Sequence, residues 1–166
     1  MKLPPADSEL GKLMAMLPRS GRVEWIGLRE QRDVPMREVE QAMAQTGVGL
    51  VGDRYAGGSG KRGITLIQSE HLSVIAALAG HAAVAPATLR RNVVVSGIPL
   101  VALKGRRFRI GAVLLEGTDD CDPCSRMEAA LGPGGFNAMR GHGGLCARIL
   151  DGGAFRLGDA VTPLND

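Results

Sequence analysis

Apolar and polar positions alternate along this chain in short runs, none of them long. Arg22-Val23-Glu24-Trp25-Ile26-Gly27-Leu28 follows the pattern of a half-buried strand. Ile64 to Gln68 and the valine-rich run Asn92 to Ser96 read as further strands, as do Arg106 to Ile110 and Ala112 to Gly117. Gly144 to Leu150 and Ala154 to Leu157 read as two more, with a predicted hairpin at Asp151-Gly152-Gly153, and Val161 to Leu164 as a last short one. Gly47 to Tyr55 predicts a turn and a short strand. Helices are expected at Ser8 to Leu17, Pro35 to Ala44, Ser69 to Ala79 with Gly80 as its stop, and for one turn at Pro86 to Leu89. Two more are expected at Pro123 to about Leu131 and, after the break at Pro133-Gly134-Gly135, at Phe136 to Arg140. Strands and helices do not alternate strictly, so a parallel doubly wound sheet is not expected. The pattern predicts a mainly β fold, an antiparallel β-barrel with a few short peripheral helices. Residues 1–21 read as a lead-in segment and residues 22–166 as the domain.

Composition sharpens this picture in a few places. The length of 166 residues suits one domain with a sizeable core, and with only 3% aromatics that core must rest on Val, Leu, Ile, Ala and Met. The 24 glycines follow no repeat period and read as tight turns. A net charge of +3 and a pI near 9.0 suit an anionic small-molecule ligand, while nucleic acid is not an expected partner. The run Lys104, Arg106, Arg107 and Arg109 places Arg107 and Arg109 on one exposed strand face. No apolar run reaches the ~18 residues of a membrane span. The first residues lack the apolar core of a signal peptide, and three cysteines do not make a disulfide framework. A cytoplasmic protein is expected.

The segment Thr118-Asp119-Asp120-Cys121-Asp122-Pro123-Cys124 carries the most chemistry. Asp122 reads as an N-cap and Pro123 as the first helical residue, which makes Cys124 the second. A thiol there faces unpaired backbone N–H groups, a setting that favours a thiolate nucleophile or soft-metal ligand. Cys121 and Cys124 have the spacing of a redox pair. With His142 and Cys146 they also make a possible four-ligand zinc set, although Cys146 equally fits a small buried residue on a strand. Lys61 and Arg62, in the glycine-rich loop Ala56 to Gly63, and Arg90 and Arg91, ahead of Asn92, could cradle an anion or simply be solvated. His71 and His81 read as surface residues, and His142 as a loop residue between glycines. Asp53 and Asp159, each after a glycine, read as turn caps.

Several segments in order resemble the MOSC domain, the C-terminal domain of molybdenum cofactor sulfurases. They are Gly52-Asp53-Arg54-Tyr55, Arg62-Gly63-Ile64-Thr65-Leu66-Ile67, Leu89-Arg90-Arg91-Asn92-Val93-Val94-Val95-Ser96-Gly97, Leu103-Lys104-Gly105 with Ile110-Gly111, Cys121-Asp122-Pro123-Cys124, and Gly153 with Gly158-Asp159-Ala160-Val161. The resemblance spans about residues 22 to 164 and implies a barrel with small packed helices and a role in molybdenum cofactor (molybdopterin) chemistry. The family's reactive cysteine maps onto Cys124, which in reductase members binds molybdenum and in the sulfurase setting carries or passes on sulfur. Its Arg-x-Asn signature maps onto Arg90 and Asn92, expected to hold the pterin-phosphate part of the cofactor, with Arg91, Lys61, Arg62 and Thr65 as further contacts. Tyr55 stands where many relatives have His. The resemblance implies a molybdenum-cofactor oxidoreductase that reduces N-hydroxylated small molecules with electrons from an external electron-transfer protein. An alternative is a sulfur carrier fed by a cysteine desulfurase, which passes persulfide sulfur through Cys124 to metal–sulfur cofactor assembly, with Cys121 as resolving thiol. A third is a zinc-stapled, non-enzymatic interaction module.

Overall fold

The computed structural model describes residues 3–55 and 58–165. In chain order the elements are α1 (Glu9–Ala15), β1 (Gly21–Leu28), β2 (Arg37–Val39), β3 (Gln41–Gln45), β4 (Gly49–Leu50), β5 (Ile64–Gln68), α2 (Ser69–Ala79), α3 (Pro86–Leu89) and β6 (Val93–Ser96). A 3-10 turn at Leu100–Leu103 leads to β7 (Arg107–Ile110) and β8 (Val113–Asp120), followed by α4 (Ser125–Leu131), α5 (Gly135–Met139), β9 (Leu145–Asp151), β10 (Gly153–Arg156) and β11 (Ala160–Pro163). Among the described residues no helix is long and apolar enough to cross a membrane.

Seven strands close into a barrel in the order β1-β11-β7-β8-β9-β5-β6, and β6 returns to β1. Closure rests on β1, whose Gly21 and Arg22 pair with Val161 and Ala160 of β11, while Arg22 to Ile26 pairs with β6 through a register shift between Val23 and Trp25. Such an irregularity bends a strand and lets it serve two neighbours. The ladders are antiparallel except β5–β6, which run parallel because α2 and α3 carry the chain across between them. This βαβ unit interrupts an otherwise antiparallel design. It also explains the unbroken valines of β6: Val93 and Val95 face the barrel core, whereas Val94 packs with Trp25, Ile67, Ile75, Met127, Leu131 and Met139 under the helices. A strand covered on both faces has no reason to alternate. On β7 the opposite holds. Arg107 and Arg109 are exposed and Phe108 and Ile110 are buried, as the alternation predicts.

Three local expectations are corrected. Pro35 to Ala44 is not a helix but contains β2 and β3. Ala42 and Ala44 are buried while Gln41, Met43 and Gln45 are exposed, and β3 pairs with β10 and β4 in a small second sheet. Tertiary pairing overrides the helix propensity of a Gln- and Ala-rich stretch. Asp151-Gly152-Gly153 does not close a hairpin: β9 pairs with β8 and β5, and the chain turns at Gly152 to enter the second sheet, where Gly152 N donates to Thr46 Oγ1 at 2.9 Å. Finally, α4 starts at Ser125 with Cys124 as its N-cap.

Candidate functional site

Two cavities share the lining residues Arg29, Arg54, Arg62 and Arg90 and so form one basin beside β5, β6 and α4. The inner one, about 430 Å³, adds Met36, Asp53, Tyr55, Thr65 and Asn92. The outer one, about 360 Å³, adds Arg32, Arg91, Arg126, Cys124 and Met127. Positive charge dominates, and the carboxylates that answer it are few. Asp33 pairs with Arg126 at 2.8 Å on the exposed rim, and Asp53 lies inside. Burial lowers the pKa of Arg90, and the neighbouring Arg126 lowers it further, the mark of cations crowded together. Arg29 Nη1 is buried with no hydrogen-bond partner. A buried guanidinium nitrogen left unpaired costs free energy that an anion in the basin would offset.

The residues Arg90-Arg91-Asn92 divide the work between them. Arg90 ends α3 in the left-handed region at φ 62°, which is strained for a side chain larger than glycine and directs its guanidinium to the basin. Arg91 turns into the protein instead. Its Nε donates to Gly143 O at 2.8 Å, Nη1 to Leu89 O at 2.9 Å, and Nη2 to Cys121 O at 2.7 Å and Asp122 O at 3.3 Å. Asn92 ties the sheet. Its Nδ2 donates to Gly27 O at 3.2 Å, and its Oδ1 accepts from Thr65 N at 3.1 Å and Thr65 Oγ1 at 3.0 Å. Asp53 Oδ1 accepts Arg29 N at 2.8 Å, joining the 53–55 loop to the end of β1. Burial raises the Asp53 pKa, and hydrogen bonds from Tyr55 and Asn92 oppose the shift.

The three thiols part company. Cys124 is exposed and lines the outer cavity. It is the N-cap of a seven-residue helix rather than the second residue of a longer one. Cys121 is buried, with Arg62 Nη2 3.6 Å from its sulfur. A hydrogen bond from Cys146 lowers its pKa to about 6 against the cost of burial, and Arg91 and Arg62 add to the shift. The same hydrogen bond pushes the Cys146 thiol far up, and burial adds to it. Cys121 is thus a buried thiol beside Cys146, whereas Cys124 is exposed, and all three are free.

Of the residues expected at the site, Cys124, Arg90, Arg91, Asn92, Arg62 and Thr65 line the basin. Lys61 does not. It is exposed, and its carbonyl accepts from Thr118 Oγ1 at 2.6 Å. Within its glycine-rich loop, Ala56 and Gly57 lie outside the described residues. The zinc set is not assembled. Among the described residues no three His, Cys, Asp or Glu side chains are gathered to hold a metal ion, and His142 packs edge-on against His71 with ring centroids 5.1 Å apart. His71 is thereby half-buried, not a free surface residue. The sequence reading missed Arg29, Arg32, Arg54 and Arg126 as basin residues and took Asp53 for a simple turn cap. The motif Gly52-Asp53-Arg54-Tyr55 carried a usable signal for two of them. Arg29, Arg32 and Arg126 stand alone in the sequence and meet only through the fold.

A model of the MOSC domain matches residues 53–162. Among solved structures the chain is similar to the YuaD protein from Bacillus subtilis, with a TM-score of 0.76 at 21% identity over 88% of this chain and 97% of that one. It is also similar to YiiM from Geobacillus stearothermophilus, with a TM-score of 0.72 at 16% identity over 87% of this chain and 75% of that one. YiiM from Escherichia coli gives 0.67 at 19% identity over 87% and 70%. These identities establish a shared fold. No curated protein matches the sequence.

Proposed function

The chain belongs to the MOSC domain family, and on that premise we propose that its basin holds the molybdenum cofactor and that the protein is an oxidoreductase acting on N-hydroxylated small molecules. One observation carries the reading: the exposed Cys124 thiol opens into the same arginine-lined basin in which Arg29 Nη1 has no partner. The donor set fits that group. A soft thiolate suits a metal already held by sulfur, and guanidinium forks suit a terminal phosphate. When bound, the cofactor supplies two-electron redox chemistry and oxygen-atom transfer. Cys124 is the metal ligand on this reading. Arg29, Arg54, Arg62 and Arg90 neutralise the phosphate, Thr65 and Asn92 fix the wall of the inner cavity, and Arg91 holds the 121–122 segment that leads to Cys124. No flavin or nicotinamide fingerprint is visible in the sequence, so electrons come from an external electron-transfer protein.

Elemental analysis tests the reading. Protein purified from a cofactor-competent host fed molybdate is expected to carry near-stoichiometric molybdenum, and Cys124→Ser is expected to lose it. Folded wild-type protein free of molybdenum would sink the proposal.

Sulfur transfer is the second reading, favoured by one observation. Cys124 is exposed while Cys121 and Cys146 are buried, so only Cys124 lies open to a cysteine desulfurase. It predicts a mass gain of one sulfur on Cys124 after incubation with a desulfurase and cysteine. An unmodified Cys124 removes it.

A further inference from the structure

We propose that Cys121 and Cys146 form an oxidisable thiol pair, which peroxide converts to an internal disulfide. The inference does not depend on what occupies the basin.

The fold brings these two residues together although the sequence does not. Strands β8 and β9 pair antiparallel with Asp120 opposite Leu145, and Cys121 N donates to Gly144 O at 2.8 Å just beyond that pair. Cys121 is thus opposite Gly144. Cys146 lies two residues on from Gly144, beside the register irregularity between Gly117 and Asp120, and its thiol reaches Asp120 O at 3.9 Å, the carbonyl next to Cys121. Both side chains are buried, and the two thiols shift each other's pKa in opposite directions. Two constraints hold the geometry. Arg91 Nη2 grips the Cys121 carbonyl, and Gly143 lies so close to that carbonyl that a Cβ there would collide with it.

The charges around Cys121 equip it as the attacking member. Arg62 Nη2 lies 3.6 Å from its sulfur, Arg91 is adjacent, and only Asp122 opposes them. Nearby cations lower a thiol's pKa, and the thiolate is the nucleophilic form. Burial restricts the reaction to a small oxidant, reached past the exposed Arg62 side chain. The Cys121 thiolate attacks one oxygen of hydrogen peroxide and the O–O bond breaks. Sulfur is oxidised by two electrons to the sulfenic acid, and the departing hydroxide takes a proton to become water. The Cys146 sulfur then attacks the sulfenic sulfur and forms the S–S bond. The S–O bond breaks, and the thiol proton leaves with the hydroxyl as a second water. A dithiol such as dithiothreitol reverses the change.

The test is peptide mapping by mass spectrometry after reduced protein is treated with hydrogen peroxide and alkylated under denaturing conditions. The expected product is a Cys121–Cys146-linked peptide, formed at an unchanged rate in Cys124→Ser. Cys146→Ser is expected to leave a sulfenic acid on Cys121 that dimedone traps. A Cys121–Cys124 link would overturn the proposal. So would recovery of Cys121 and Cys146 as alkylated thiols beside an oxidised Cys124, or loss of the link in Cys124→Ser. The Cys124→Ser experiment decides the matter by itself if Cys146→Ser does not fold.

Discussion

Arg91 Nε donates to the Gly143 carbonyl at 2.8 Å, so a buried guanidinium at the start of β6 fastens the loop that precedes β9. The same side chain also holds the carbonyls of Leu89, Cys121 and Asp122. Arg91→Ala therefore strips several buried carbonyls of their donor at once. It is expected to destabilise the fold by about 3 kcal/mol. Arg91→Lys should recover little of that, because an ammonium cannot reproduce the planar fork. Guanidinium unfolding of the two variants checks both statements. A Lys variant as stable as wild type would show that charge, and not the fork, matters here.

Arg90 offers a way to separate the cost of its backbone from the use of its side chain. At φ 62° the residue carries strain that glycine lacks and alanine keeps. Arg90→Gly is expected to be more stable than Arg90→Ala by about 1 kcal/mol. Both variants lose the guanidinium from the basin. Removing one charge-assisted contact should weaken anion binding about tenfold in either. Calorimetric titration with pyrophosphate, beside thermal melts, reads the two effects independently. Equal melting temperatures for Gly and Ala would refute the strain argument, and unchanged affinity would place Arg90 outside the anion contacts.

Why part of this was legible in the sequence and part was not follows from how far each signal reaches. Ile64 to Gln68 and Ser69 to Ala79 were readable because their patterns are local: a buried strand, then a helix that Gly80 stops in the left-handed region. Gln41 to Gln45 was not, because only pairing with β10 makes that stretch a strand. The run Arg90 to Asn92 was legible as a unit, yet its division into one basin arginine, one internal clamp and one sheet tie depends on backbone angles that residue types do not state. Cys121 with Cys146 is the clearest case. The visible spacing pointed to Cys124, whereas the antiparallel pairing of β8 with β9 brings the Cys146 thiol to Asp120 O, next to Cys121.

That pair gives stability a pH dependence whose sign can be worked out. The Cys121 thiol titrates at about 6 in the folded protein against 9.0 for an unperturbed thiol. Between those values the unfolded chain binds more protons, so stability rises with pH across that window and is lost as pH falls back through about 6. Cys146 is shifted the other way. Above 9.0 it ionises more readily when unfolded, so stability falls again at higher pH. Cys146→Ala removes the donor and is expected to flatten both limbs. Denaturant midpoints measured across this range for the two proteins test it, and parallel curves would show that the thiols do not interact.

Cys124 closes the case for separating fold from function. It is the N-cap of α4, with extended backbone at φ −129° and ψ 176°, and its side chain makes no capping hydrogen bond. A serine hydroxyl in that position can accept from the first turn of the helix, which a thiol does poorly. Cys124→Ser is thus expected to be as stable as wild type, or more stable by up to about 1 kcal/mol. Loss of molybdenum from such a variant would reflect the missing ligand and not a damaged fold. The two measurements belong on one preparation, thermal melting beside elemental analysis. A Ser variant that melts well below wild type would mean that Cys124 supports the structure, and molybdenum loss could then no longer be assigned to ligation.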